Sequence, residues 1–135
     1  MAKELIALGA RSVIGLVHCL PLPGSFGYAG DMEKILSQAV QDAQTLEKAG
    51  ADAIIVENMG DTPFTAKLNK AQIAALAAAA RKVADAVSIP VGVDAAFNDY
   101  EASLSIAAAA GATFIRVPVF VDTVVFTDGI IYPCA

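Results

Sequence analysis

Histidine occurs once in the 135 residues, cysteine twice, and charged side chains supply only 17% of the chain. A single His and two widely separated Cys exclude the paired ligand spacings of a structural zinc site, and no metal is expected. Lysine and arginine together number 9, form no basic run, and face 14 acidic residues, for a net charge of −5. An electrostatic nucleic-acid site therefore has no footing, and no nucleic-acid partner is expected. No glycine-rich dinucleotide fingerprint, P-loop or nucleophile elbow is present, so the cofactor stays unassigned. No window approaches the roughly 18 to 20 uninterrupted apolar residues of a transmembrane helix. The longest candidate, Ala71 to Ala80, is closed by Lys70 on one side and by Arg81 and Lys82 on the other. The start, Met1 to Ile6, lacks the apolar core of a secretory leader. The expected location is the cytoplasm, with Cys19 and Cys134 as reduced thiols.

What the chain has in plenty is apolar residues, 56% of the total, which excludes disorder. Its length leaves room for one domain. Short β-rich runs alternate with helical ones. The first strand is read at 12–20. A loop rich in Pro and Gly follows, and Asp31 caps a helix with Ile35, Leu36, Ala39, Val40, Ala43 and Leu46 on one face. Gly50 stops that helix. The second strand is 53–57. Asn69 and Gln72 pair as a cap for an alanine-rich helix reaching Val87. The third strand is 91–95. Asn98 and Glu101 read as the next capping pair, for a helix ending at Gly111. The fourth strand is 113–120.

These strands are near-continuous apolar runs, as expected where helices cover a parallel sheet and both faces are buried. The segment Ala49-Gly50-Ala51-Asp52 is echoed by Ala110-Gly111-Ala112-Thr113, a small internal repeat. Beyond Phe120 the alternation stops, and Thr127-Asp128-Gly129 marks a turn between two β-prone runs. The expected fold class is therefore α/β. It is a partial (β/α)8 TIM-like barrel, with about four parallel strands alternating with three helices and a C-terminal β-hairpin arm at 121–135. Val117, Val119, Phe120, Val124, Val125 and Phe126 are expected to expose an apolar surface. The partner expected for it is a second copy, as a homo-oligomer, or the C-terminal half of a barrel.

In such folds, sites form where strands run into the following loops. The polar residues gather there. His18 ends the first strand, Glu57 and Asn58 the second with Asp61 beyond, and Asp94 the third with Asn98 beyond. Arg116 lies in the fourth. Charged groups in strands this apolar are costly unless paired or functional. His18, Glu57 and Asp94 are the catalytic candidates, as proton-transfer groups. Asn58, Asp61, Asn98 and Arg116 are the substrate-binding candidates, with Arg116 suited to an anion or carboxylate. Each has a structural alternative: a hydrogen-bonded wall residue for His18, a buried Glu57–Arg116 ion pair, and helix caps for Asp94 and Asn98.

The pieces His18-Cys19-Leu20-Pro21-Leu22-Pro23-Gly24-Ser25 and 51–64, ADAIIVENMGDTPF, resemble the BtpA family. So do Pro90 to Val93, Asn98-Asp99, Phe114 to Val117 and Thr127 to Ile131. The resemblance runs in order from about Val13 to Ile131. It implies a TIM-barrel-like fold and places His18, Pro21, Pro23, Gly24, Glu57, Asn58, Gly60, Asp61, Pro63 and Arg116 on family positions. The chain departs from the family pattern at Asp94, Phe97 and Pro118, where Asn, Arg and Asn are favoured. Family members run to a full barrel of roughly 250 residues, so residues 1–135 are expected to be the N-terminal half. Three functions follow as expectations. One is an enzyme or binder acting on a small phosphorylated or sugar-like molecule. The second, implied by the resemblance alone, is a non-catalytic photosystem I biogenesis factor, peripheral to the thylakoid in a photosynthetic organism. The third is an inactive half-barrel fragment that needs association.

Overall fold

A computed structural model describes residue 9 and residues 11–126 and 129–135. Residues 1–8, where the missing leader core was read, and Thr127 and Asp128 of the expected turn lie outside the described residues. The elements run β1 (Ile14–His18), α1 (Met32–Lys48), β2 (Ala53–Glu57), α2 (Lys70–Ala86), β3 (Val91–Asp94), α3 (Tyr100–Ala110), β4 (Phe114–Ile115), β5 (Val124–Phe126) and β6 (Gly129–Ile131). The first four strands form a parallel sheet in chain order, and β5 pairs antiparallel with β6. This is the expected α/β architecture, with its hairpin arm.

Local chemistry explains the boundaries. The Asp31 side chain accepts from the Lys34 N–H and opens α1. Asn69 and Gln72 form a full capping box at α2: each backbone N–H donates to the other's side-chain oxygen at 3.0 Å. The short internal repeat is geometric as well as textual. Gly50 and Gly111 both take positive φ, 93° and 72°, at helix ends. The Ala51 and Ala112 N–H groups then bond back to Leu46 and Ala107. Next, Asp52 and Thr113 donate to Val13 and Val91 at 2.8 Å, launching the following strand.

Residues alternate sides along a strand. Val17, Ile54, Val56, Val91 and Val93 face the helices and form the core with Ile35, Ala39 and Ala43 of α1, Leu76, Ala79, Ala80 and Val83 of α2, and Ile106 of α3. Small alanines let α2 lie close to both neighbouring helices and the sheet. On the other side stand Leu16, Ile55, Gly92 and Phe114 in one register row. A Cβ on Gly92 would lie 2.4 Å from the Phe114 ring, so only glycine lets that ring lie across the sheet.

Four expectations need correction. Strand one is not buried on both faces: Leu16 is 43% exposed. The fourth strand is two residues long, not eight. Its ladder ends with the Arg116 N–H donating to Val93, and Pro118, two residues on, has no N–H to extend it. The cap of α3 is Asp99, which accepts from Ala102 at 3.2 Å. Asn98 precedes it with φ +74°, outside the helix. Val119 does not belong to the exposed apolar surface; it is buried, while Phe120, Val124, Val125 and Phe126 are exposed. No helix among the described residues is long and apolar enough to cross a membrane.

Candidate functional site

Parallel pairing puts the C-terminal ends of β1, β2 and β3 side by side. His18 pairs with Glu57 and Glu57 with Asp94, and Arg116 follows one residue past the end of β4. Their side chains meet on the sheet face away from the helices. His18 Nε2 lies 2.7 Å from Glu57 Oε1, and Arg116 Nη1 lies 3.4 Å from Glu57 Oε2. The same guanidinium nitrogen stands 3.6 Å from Asp94 Oδ2. The two carboxylates are buried, whereas His18 and Arg116 are half exposed and form the open side of the row.

The two carboxylates differ in what they touch. Both Glu57 oxygens have partners. Asp94 Oδ1 is buried with no hydrogen-bond partner among the described residues. Burial, then the neighbouring Glu57 charge, push the Asp94 carboxyl up to about 7, against the opposing pull of Arg116, and a side-chain hydrogen bond to Glu57 adds to the rise. Asp94 thus exchanges a proton near neutrality, the range useful for acid–base work. Cys19, next to His18 in sequence, is raised by the same kinds of cause, and here they work against chemistry. Burial, with Asp61 and Glu57 adding, raises its thiol to about 12, too high for a nucleophile.

The other three candidates are joined to loop backbone rather than to the row. Asn58 grips Ala96: its Oδ1 accepts the Ala96 N–H at 2.7 Å and its Nδ2 donates to the Ala96 carbonyl at 3.2 Å. Asp61 accepts from the Leu22 N–H at 2.7 Å, from Gln72 Nε2 at 2.9 Å and from Asn58 Nδ2 at 3.2 Å. That ties the loops after β1, β2 and β3 into one buried network. Asn98 holds Val119 by two bonds, accepting at 2.8 Å and donating at 3.0 Å. Three contributors went unread in the sequence. Gln72 serves Asp61 as well as its cap. Ser103 accepts the Ala95 N–H at 2.9 Å. Asp99 accepts the Leu68 N–H at 2.8 Å besides capping α3. The Asp99 signal was a carboxylate one residue later than the assigned cap. The Gln72 and Ser103 contacts have no local signature.

Two grooves lie among the loops, and neither is lined by a residue of the row. One, of about 300 Å³, runs between the Gly24-Ser25-Phe26 turn and the Thr62–Lys67 loop. The other, of about 380 Å³, lies between the hairpin and the start of α3. The hairpin is held there by Phe126 stacked on Phe97, ring centroids 4.7 Å apart. Among the described residues, no three His, Cys, Asp or Glu side chains are grouped as metal ligands would be.

Fold and row together define an α/β protein of the TIM-barrel type, with an ionisable cluster at the C-terminal strand ends. The model of the BtpA family matches residues 9–135, and the chain belongs to that family. An uncharacterised protein of Pyrococcus abyssi is 49% identical over 95% of this chain and 49% of its own length. The photosystem I biogenesis protein BtpA of Synechocystis is 38% identical over 88% of this chain and 42% of its own. The putative sgc region protein SgcQ of Escherichia coli is 33% identical over 84% and 42%. The chain thus spans about half the length of the curated relatives it matches. Among solved structures, Xanthomonas albilineans dihydropteroate synthase with 4-aminobenzoic acid superposes with a TM-score of 0.56 at 19% identity. The match covers 77% of this chain and 34% of that one, a likeness of fold.

Proposed function

We propose that this chain carries the ionisable part of a small-molecule site in a BtpA-family barrel, and that the ligand is a small phosphorylated or sugar-like molecule. Residues 1–135 form the N-terminal half of that barrel. The observation that carries this reading is the single row His18–Glu57–Asp94–Arg116, one side chain from the end of each parallel strand, with one buried carboxylate oxygen left unpartnered. Strand-end positions are where (β/α) barrels assemble their sites from several strands at once. The row faces the open side of the sheet, where a second half-barrel would enclose it. That half is either the remainder of a longer chain or a second copy.

The test is calorimetry and thermal shift of the chain against a panel of sugar phosphates, with Glu57→Gln as the matched variant. Glu57→Gln keeps the shape and removes the charge that His18 and Arg116 share. The expected result is loss of binding with a cooperative unfolding transition retained. A variant that binds normally assigns Glu57 to structure, and one that unfolds assigns the Glu57–Arg116 pair to stability. The second reading, a non-catalytic role in photosystem I biogenesis at the thylakoid periphery, rests on the printed name of the Synechocystis relative. A non-photosynthetic source organism excludes it.

A further inference from the structure

Of the four groups in the row, only the two at its ends can be reached from outside. Glu57 and Asp94 are closed off, and Asp94 is bonded to the Glu57 side chain. The His18 and Arg116 side chains are 51% and 44% exposed, and each stands against a different oxygen of Glu57. One buried carboxylate therefore orients both. On the His18 side it also fixes where the imidazole proton sits. At 2.7 Å the lone pairs of Nε2 and Oε1 would repel, so a proton lies between them and Nε2 carries it. Nδ1 is left with its lone pair free and has no partner among the described residues. Arg116 meets the row through Nη1, which leaves Nε and Nη2 unengaged among the described residues. A carboxylate behind Nε2 favours the imidazolium that forms when Nδ1 takes a proton.

We infer that His18 is the general base of the site, working through Nδ1, and that Arg116 holds the anion which that base creates. Glu57 is the positioning residue that sets the His18 tautomer. The reaction class is proton abstraction from a hydroxyl group or from a carbon beside a carbonyl group. The ligand's proton passes to Nδ1, and its electron pair comes to rest on a ligand oxygen. The free N–H groups of Arg116 donate to that oxygen. The imidazolium keeps its Nε2 proton against Glu57. This rests on the small-molecule reading above and assigns roles within it.

The experiment uses the ligand-free 135-residue chain, so it does not depend on which molecule binds. His18 is the sole histidine, and its ring nitrogens give the only imidazole signals in a long-range proton–nitrogen NMR correlation. At pH 8, where an ordinary imidazole is neutral, the native chain is expected to carry the ring proton on Nε2. Glu57→Gln is expected to move it. Arg116 has donors only, so it holds the new amide oxygen, and the amide NH2 turns to Nε2, which must then accept. The proton shifts to Nδ1 and the base is blocked. Carbethoxylation by diethyl pyrocarbonate is the second readout. Nδ1 of the native chain is expected to react, and Glu57→Gln to slow the reaction about tenfold or more, as a wrong tautomer does to a general base. A Glu57→Gln chain that keeps the native tautomer or the native rate overturns the assignment and leaves the small-molecule site to the sugar-phosphate titrations. If Glu57→Gln does not fold, the native chain decides. A proton on Nε2 with carbethoxylation at Nδ1 upholds the assignment, and a proton on Nδ1 or carbethoxylation at Nε2 overturns it. Sugar phosphates that fail to bind, with tautomer and rate as expected, overturn the choice of ligand alone.

Discussion

The two faces of the parallel sheet are made from the same strands and behave as opposites. The helix side, built on Val17, Val56 and Val93, is fully buried, and every residue there works by volume. The other side alternates with it one residue at a time, and no helix among the described residues covers it: Leu16, Ile55, Gly92 and Phe114 at mid-sheet, then His18, Glu57, Asp94 and Arg116 at the strand ends. A single register therefore separates what holds the fold from what is available for chemistry. A one-residue slip in any strand would exchange the two.

Substitutions on the two faces should measure that difference. Leu76→Ala, in α2 and fully buried against the sheet, empties the middle of the covered side. A loss of about 2–5 kcal/mol in urea unfolding is expected. Gly92→Ala comes next. Its methyl would meet the Phe114 ring at 2.4 Å, and overpacking of this kind costs about 1–3 kcal/mol. Adding Phe114→Leu should recover part of that loss; no recovery would mean that the ring is not what the methyl meets. Leu16→Ala, on the open side and 43% exposed, is expected to cost under about 1 kcal/mol. If it costs as much as Leu76→Ala, something covers that face in solution. Sedimentation of the same sample then shows whether a second copy does so.

How much of this was legible in the sequence follows the same division. β2 and β3 could be read because both their faces are buried and both are apolar. β1 could not be read fully: Leu16 is as apolar as Val17, and the sequence does not reveal which side the helices take. The fourth strand was read too long because Pro118 interrupts an otherwise β-prone run. The α3 cap is one residue later than the sequence suggests because Asn98 and Asp99 are both capping residues, and what separates them, the positive φ of Asn98 and the Ala102 N–H bond to Asp99, is not written in the sequence. In the site, the strand-end residues were legible by position. The reach of Asn58 and Asp61 was not, since their partners Ala96 and Leu22 lie 38 and 39 residues away in the chain. No spacing rule spans that distance. Only the parallel stacking of strands brings those loops together.

The central claim is that one charge-coupled row crosses the strand ends. The most direct test is the titration of the Asp94 side-chain carboxyl carbon by NMR, in the native chain and in Glu57→Gln. In the native chain Asp94 should titrate at about 7, held up by burial and by the Glu57 charge. Glu57→Gln removes that charge, so the Asp94 midpoint should move down while the group stays buried. An Asp94 that titrates with ordinary carboxylates near 4, and at the same pH in both proteins, would show that the two side chains do not share a site.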